Sequence, residues 1–304
     1  MSFEPEYAPG LPPPQPLRFL NLNSPSALTA LRLVLPGLKK EARGWEPGPG
    51  VKMRLAELAG VECFCLEPSG QARGYMLYLH GGAFCLPVQR SALALAAEYC
   101  RALKLSVCLP EYSLLPEYPA PAAFLDCSAV YAALRPELLY GESAGAALAL
   151  GLAIDAADKG AQQARGICLI YPALDDRARG ECGGCAIERK TIDGMWQRYL
   201  SHADKDMLGL LAPARAKLPA GLPYAYIELA EHDCLFDEGL EMADRLRANG
   251  NRLRLEIRAG AYHGFDSHLE TPYVFRTVEA RAGVMAEMLG PEPPIQQIRE
   301  QNDK

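Results

Sequence analysis

Gly141-Glu142-Ser143-Ala144-Gly145 sets a serine between two glycines, after the apolar run Leu138-Leu139-Tyr140 and before an Ala/Leu segment, 146–157. That order reads as a strand, a turn too sharp for side chains on its inner positions, and a helix. It leaves the Ser143 hydroxyl projecting from the top of a sheet. The pentapeptide by itself also describes an ordinary Gly-rich turn. A serine hydroxyl is a weak nucleophile at neutral pH, so catalysis would require a base, an acid to orient the base, and donors for an oxyanion.

The chain has 5 histidines, at positions 80, 202, 232, 263 and 268. His263, in Ala261-Tyr262-His263-Gly264-Phe265, follows a strand expected to end near Ile257, and small neighbours let its imidazole swing toward Ser143. His268 reads as a surface residue and His202, in Ser201-His202-Ala203-Asp204, as a helix-cap or solvent residue. For the acid, Glu231, Asp233, Asp237 and Glu238 crowd the end of the strand expected over 224–229, and position alone does not choose among them. Asp237 and Glu238 fall in a helix's opening turn, where acids favour the macrodipole without any chemistry. Asp233 lies in the loop directly after the strand and gives the order Ser143, Asp233, His263. Oxyanion donors are expected from the peptide N–H of Ala144 and of Gly81 and Gly82, because glycine backbone approaches a substrate closely. His80 then reads as a structural residue fixing that loop.

These positions need a scaffold. Tyr75–Leu79, Ser106–Leu109, Leu138–Tyr140, Gly166–Tyr171, Tyr224–Leu229 and Leu253–Ile257 read as strands. Helix-like stretches alternate with them at 91–103, 120–134, 146–157, 236–248 and 274–289. Such alternation implies an α/β fold, a mostly parallel doubly wound sheet with helices on both faces. Val51–Leu58 and Val61–Leu66, separated by Ala59-Gly60, predict a hairpin. Residues 1–45 read as a Pro-rich arm followed by a helix that begins near Ser24 and shows one face at Leu28, Leu31 and Leu35. That helix is compatible with packing on the body and with forming part of a lid. The main domain spans 46–290, with a strandless insertion at about 174–222, and 291–304 is a frayed tail.

Composition narrows the function. With 304 residues, 49% hydrophobic, and a net charge of −6 with no long basic run, nucleic acid and anionic membrane are poor partners. The N-terminus lacks a cationic start and an apolar core, and the apolar run 144–154 is too short to span a bilayer. The 10 cysteines are scattered and read as buried hydrophobes, which predicts a cytoplasmic location. Cys182-Gly183-Gly184-Cys185 lacks a second Cys pair or a spaced His, so it reads as a Gly-rich loop with two thiols. Cys234 reads as a packing residue beside Asp233.

The assembled pattern resembles the hormone-sensitive-lipase-like esterases of the α/β-hydrolase fold. His80-Gly81-Gly82-Ala83-Phe84 is similar to their H-G-G-G-[FW] segment, Gly141 to Gly145 to G-D-S-A-G, and His263-Gly264-Phe265 to H-G-F. Glu111-Tyr112-Ser113-Leu114-Leu115-Pro116-Glu117 with Pro119-Ala120-Pro121 resembles D-Y-R-L-A-P-E-x-P-x-P. Asp233 to Gly239 resembles D-P-L-R-D-E-G, whose first Asp is the family's triad acid. The resemblance implies an α/β-hydrolase sheet, a small helical cap built from the N-terminal segment and the 174–222 insertion, and short acyl substrates. Three positions depart from it: Ala83 replaces the third Gly, Glu142 replaces Asp, and Ser113 replaces an ion-pairing Arg. Asp126 and Glu142 are also only 16 positions apart, which predicts a trimmed helix end between them. The glutamate in Gly-Glu-Ser-Ala-Gly-Ala is shared with the type-B carboxylesterases, which are much longer and carry Glu as the acid.

The expected function is carboxylic ester hydrolysis through Ser143, His263 and Asp233, with oxyanion donors Gly81, Gly82 and Ala144. No cofactor or metal is called for. The expected partner is a small-molecule ester, and a homodimer remains open. Amide or formamide hydrolysis on the same groups and a non-catalytic ligand-binding role are the alternatives.

Overall fold

The computed structural model describes residues 6–14, 25–178 and 186–291, with only the backbone described for 25–28. Its strands are β1 (Val51–Leu58), β2 (Val61–Pro68), β3 (Tyr75–Leu79), β4 (Ser106–Pro110), β5 (Leu138–Glu142), β6 (Gly166–Ile170), β7 (Tyr224–His232) and β8 (Leu253–Tyr262). The helices are α1 (Pro25–Arg43), α2 (Arg90–Leu103), α3 (Ala122–Leu134), α4 (Ala144–Asp158), α5 (Arg189–Tyr199), α6 (Leu208–Leu211), α7 (Phe236–Ala248) and α8 (Pro272–Leu289). All eight strands form one sheet in the order β1-β2-β4-β3-β5-β6-β7-β8. From β4 to β8 the neighbours run parallel, and β2 is antiparallel to both β1 and β4. No helix among the described residues is long and apolar enough to cross a membrane.

The central strands are apolar on both faces because both faces are covered. In β3, Leu77 and Leu79 join one core with α3, α4 and α7, while Met76 and Tyr78 join the opposite core with α2 and α8. The same two-residue alternation sends Ile167 and Leu169 of β6 to the first core and Cys168 and Ile170 to the second. The expected hairpin forms, with Ala59 and Gly60 both at positive φ (51° and 84°), the backbone that matches the twist of paired strands.

Two strand ends differ from the expected ones, and the difference positions the site. β7 runs on to His232 and β8 to Tyr262, because these residues pair with each other beyond a register shift at Ala230. Asp233 and His263 are therefore the first residues past two adjacent parallel strands and emerge side by side. On the short path from Asp126 to Glu142, α3 stops at Leu134, and Arg135, at φ 49°, donates its N–H to the Tyr131 carbonyl. In α1, Leu31 is buried and Leu35 half-buried, while the Leu28 side chain lies outside the described residues. The described part of 174–222 holds α5, α6 and short turns, and α6 packs on α4.

One buried cation ties α8 to this end of the sheet. Arg281, with a fully buried side chain, donates to Glu228 Oε1 of β7 (3.0 and 2.5 Å) and to Asp266 Oδ2 (2.7 Å). Arg258 holds the other Glu228 oxygen at 2.7 Å. Breaking a buried ion pair leaves an uncompensated charge, so Arg281→Ala is expected to lower the free energy of unfolding by about 3–5 kcal/mol in urea titration followed by circular dichroism.

Candidate active site

Ser143 sits where β5 turns into α4, at φ 51° and ψ −121°, a conformation that L residues avoid without support from their surroundings. Its N–H donates to the Ile170 carbonyl (2.9 Å), and its carbonyl accepts from Ala146 and Ala173. The flanking glycines are sterically required. A Cβ on Gly145 would lie 2.0 Å from the Leu79 carbonyl oxygen, and one on Gly141 would lie 2.5 Å from the carbonyl oxygen of Gly145. Strand and helix are packed backbone to backbone here.

His263 Nε2 lies 2.9 Å from Ser143 Oγ, and His263 Nδ1 lies 2.7 Å from Asp233 Oδ2. An ionised carboxylate only accepts, so Nδ1 carries the proton and Nε2 is left to receive the serine hydroxyl. The other Asp233 oxygen accepts the Leu235 N–H at 3.1 Å, which fixes the carboxylate. All three residues are buried. Burial disfavours the imidazolium, yet the Asp233 charge and hydrogen bond outweigh it and hold the His263 pKa above its ordinary value.

The other acids near Asp233 have separate employment. Glu231 accepts the Gly260 N–H at 2.7 Å, and Asp237 is exposed in the first turn of α7. Glu238 is buried beneath the Leu174 and Asp175 amides, and burial pushes its carboxyl up to about 8. The remaining histidines stand apart from the Ser143 hydroxyl. His80 stacks on Tyr112 (4.2 Å, 9°) with Nδ1 2.8 Å from the Gly81 carbonyl, and burial pushes its imidazole down to about 4. His202 pairs with the Ser201 hydroxyl on an exposed turn, His232 approaches the Glu6 carbonyl, and His268 lies 3.5 Å from Glu270 at the edge of the cavity.

On the facing loop, Gly81 differs from its expected role. Its N–H donates to Glu142 Oε1 at 3.1 Å, and Glu142 Oε2 accepts the Tyr78 hydroxyl at 2.7 Å. Burial pushes the Glu142 carboxyl up to about 7. The peptide N–H groups of Gly82, Ala83 and Ala144 have no acceptor among the described residues. Ala83 and Phe84 both adopt φ 56°, and Phe84 stacks on Tyr199 of α5 (3.7 Å, 3°). The loop is thus held from below by Glu142 and from above by α5. Asp126, without an arginine at 113, accepts the Ser113 backbone N–H at 2.8 Å instead.

A cavity of about 330 Å³ opens over Ser143 and His263, walled by Gly82, Ala83 and Leu86 on one side and Ile187 and Tyr262 on the other. Tyr171 and Asp266 also line it, and the sequence reading passed over both. Asp266 stands three residues past His263 and Tyr171 directly follows β6, which were the available signals. Cys234 is in a disulfide and is no free packing thiol, whereas Cys63, Cys65, Cys85, Cys100, Cys108, Cys127 and Cys168 are free and buried. Cys182 and Cys185 lie outside the described residues.

The family model for the alpha/beta hydrolase fold matches residues 76–267. The carboxylic ester hydrolase LipN of Mycobacterium tuberculosis is 31% identical over 248 residues, 72% of this chain and 66% of that protein. The esterase LipW of Mycobacterium marinum superposes with a TM-score of 0.80 at 26% identity, covering 91% of this chain and 99% of that one. A hormone-sensitive lipase from a metagenome library shares the fold, with a TM-score of 0.78 at 23% identity over 86% of this chain and 92% of that one. With its parallel sheet, its serine turn and the match over most of its length, the chain belongs to the α/β-hydrolase fold family.

Proposed function

We propose that the chain hydrolyses short-acyl carboxylic esters by two-step acyl transfer, with Ser143 as nucleophile, His263 as base and Asp233 as the acid that orients it. The contacts of 2.9 Å from Ser143 to His263 and 2.7 Å from His263 to Asp233 carry this reading. His263 Nε2 takes the hydroxyl proton as Ser143 Oγ attacks the ester carbonyl, and Asp233 stabilises the imidazolium. The oxyanion is held by the N–H groups of Ala144 and Gly82, with Ala83 in place of Gly81, whose N–H is already committed to Glu142. His263 then protonates the leaving alcohol and activates the water that releases the acid from Ser143. The Ala83 methyl, Leu86 and the 330 Å³ cavity support a preference for short acyl groups. The residues of the insertion that line this cavity, Ala186 and Ile187, support its assignment as part of a cap.

Amide hydrolysis would use the same groups, whereas a purely ligand-binding role would not need a base kept in line with a serine. Ser143→Ala is expected to lower p-nitrophenyl butyrate turnover by about 10⁴-fold or more and to abolish labelling by a fluorophosphonate, with the circular dichroism spectrum unchanged. Asp233→Asn is expected to lower kcat by about 10⁴-fold, and Asp237→Asn to leave it within a few-fold; the reverse ranking would reassign the acid. Because neutral His263 is the base and its pKa is raised, kcat/KM is expected to fall with acid through a limb lying above about 6.5, the ordinary histidine value.

A further inference from the structure

Among the described residues, seven other than glycine have positive φ. Ala59 serves the hairpin turn, and Lys104 and Arg135 cap the C-termini of α2 and α3, where the left-handed conformation is customary. The other four are Ala83 and Phe84 on the oxyanion loop, Ser143, and Tyr171 at φ 34°. Such backbone costs about 1–3 kcal/mol per residue and persists only where its surroundings impose it. Phe84 and Tyr171 take no part in the acyl-transfer steps, and on both a large aromatic side chain makes such backbone unexpected. Phe84 stacks on Tyr199, whereas the Tyr171 ring faces His263.

Its surroundings connect it to the base. The Tyr171 ring stands 4.7 Å from the His263 imidazole at 58°, and its N–H donates to the Glu228 carbonyl at 2.7 Å. Its hydroxyl donates to Asp266 Oδ1 at 2.6 Å, while Asp266 Oδ2 accepts from Arg281 at 2.7 Å. Arg281 in turn binds Glu228 and donates to the Tyr99 and Tyr140 hydroxyls (3.3 and 3.2 Å). Asp266 lies on the turn 265–267 that directly follows His263-Gly264. The ring facing the imidazole and the loop bearing the imidazole are therefore tied to each other and to one buried cation.

We propose that Tyr171 is a positioning residue for His263, setting the plane of the imidazole through its ring and holding the histidine loop through its hydroxyl bond to Asp266; this rests on the reading of Ser143 and His263 given above. The contacts of Nδ1 with Asp233 and of Nε2 with Ser143 hold the imidazole at its edge, and the packed Tyr171 ring restrains the tilt of its plane. The hydroxyl has a second effect. His263 is faced by Asp233 after β7, Glu142 at the end of β5, Asp266 on its own loop, and the neutral groups of Ser143 and Tyr171. Tyr171 and Arg281 occupy both oxygens of Asp266, which leaves Asp233 as the carboxylate that serves the imidazolium.

The test compares wild type, Tyr171→Phe, Tyr171→Leu and Ser143→Ala on p-nitrophenyl butyrate. Rates of wild type and the two Tyr171 variants are expressed per active site titrated with a fluorophosphonate, so unfolded protein does not count, and those of Ser143→Ala per protein. Tyr171→Phe keeps the ring and removes the bond to Asp266. It is expected to lower kcat by about 10-fold with KM within two-fold, and to move the acid limb of kcat/KM to higher pH, because Asp266 loses a donor and its charge acts more fully on His263. Tyr171→Leu also removes the ring and is expected to lower kcat by about 10²-fold. Wild-type kcat and an unmoved acid limb per titrated site in Tyr171→Phe would overturn the proposal, as would a Tyr171→Leu loss that vanishes on titration. Turnover or labelling retained in Ser143→Ala would instead overturn the assignment of the nucleophile.

Discussion

Gly145 packs so closely on the Leu79 carbonyl oxygen that no side chain fits between β3 and the start of α4, and the geometry of the site follows from that contact. It forces the turn in which Ser143 is the apex, its hydroxyl facing the cavity. It also brings the loop that follows β3, His80 to Phe84, alongside the serine, so that the Ser143 hydroxyl and the Gly82 and Ala83 amides are set by one backbone approach. The strain at Ser143, Ala83 and Phe84 is the local consequence, and hydrogen bonds donated to the Ile170 carbonyl and accepted from the Ala146 and Ala173 amides maintain the serine turn.

Around this contact the protein distributes buried carboxyl groups so that each has its own partners. Asp233 serves His263, Glu142 holds Gly81 and Tyr78, Glu238 holds the Leu174 and Asp175 amides, and Glu228 and Asp266 share Arg281. Burial raises Glu142 and Glu238 in spite of the more distant Arg281 and Arg189, whereas Glu228, bonded directly to Arg281 and Arg258, is held below the usual range in spite of its burial. The allocation matters because a free carboxylate near the imidazolium would compete with Asp233. Chemistry and stability therefore draw on the same buried network.

The departures from the family pattern are accommodated locally. The longer Glu142 reaches both Gly81 and Tyr78, and so fastens the oxyanion loop to β3 and β5. Ser113 gives up an ion pair, and the Asp126 carboxylate caps the residue's own backbone amide in its place. Ala83 accepts a left-handed conformation and adds a methyl to the cavity wall, which reduces the room beside the serine without removing a peptide donor.

The order of Ser143, Asp233 and His263, the alternation of strands and helices, and the hairpin at Ala59-Gly60 were legible in the sequence, because strand and helix periodicity and tight glycine turns are local properties of a chain. Helix and strand ends were less legible: β7 and β8 extend to His232 and Tyr262 only because those two residues pair across the sheet. Position alone did not separate Glu231, Asp233, Asp237 and Glu238; the loop directly after the strand favoured Asp233, and the resemblance agreed. In the fold each of the other three faces away to a different partner or to solvent. The commitment of Gly81 to Glu142, and the path from Tyr171 through Asp266 to Arg281, had no local signature. Those contacts join residues from 15 to 95 positions apart; the pairing of β3 with β5 decides the first, and the packing of α8, β6 and β7 around one buried guanidinium decides the second.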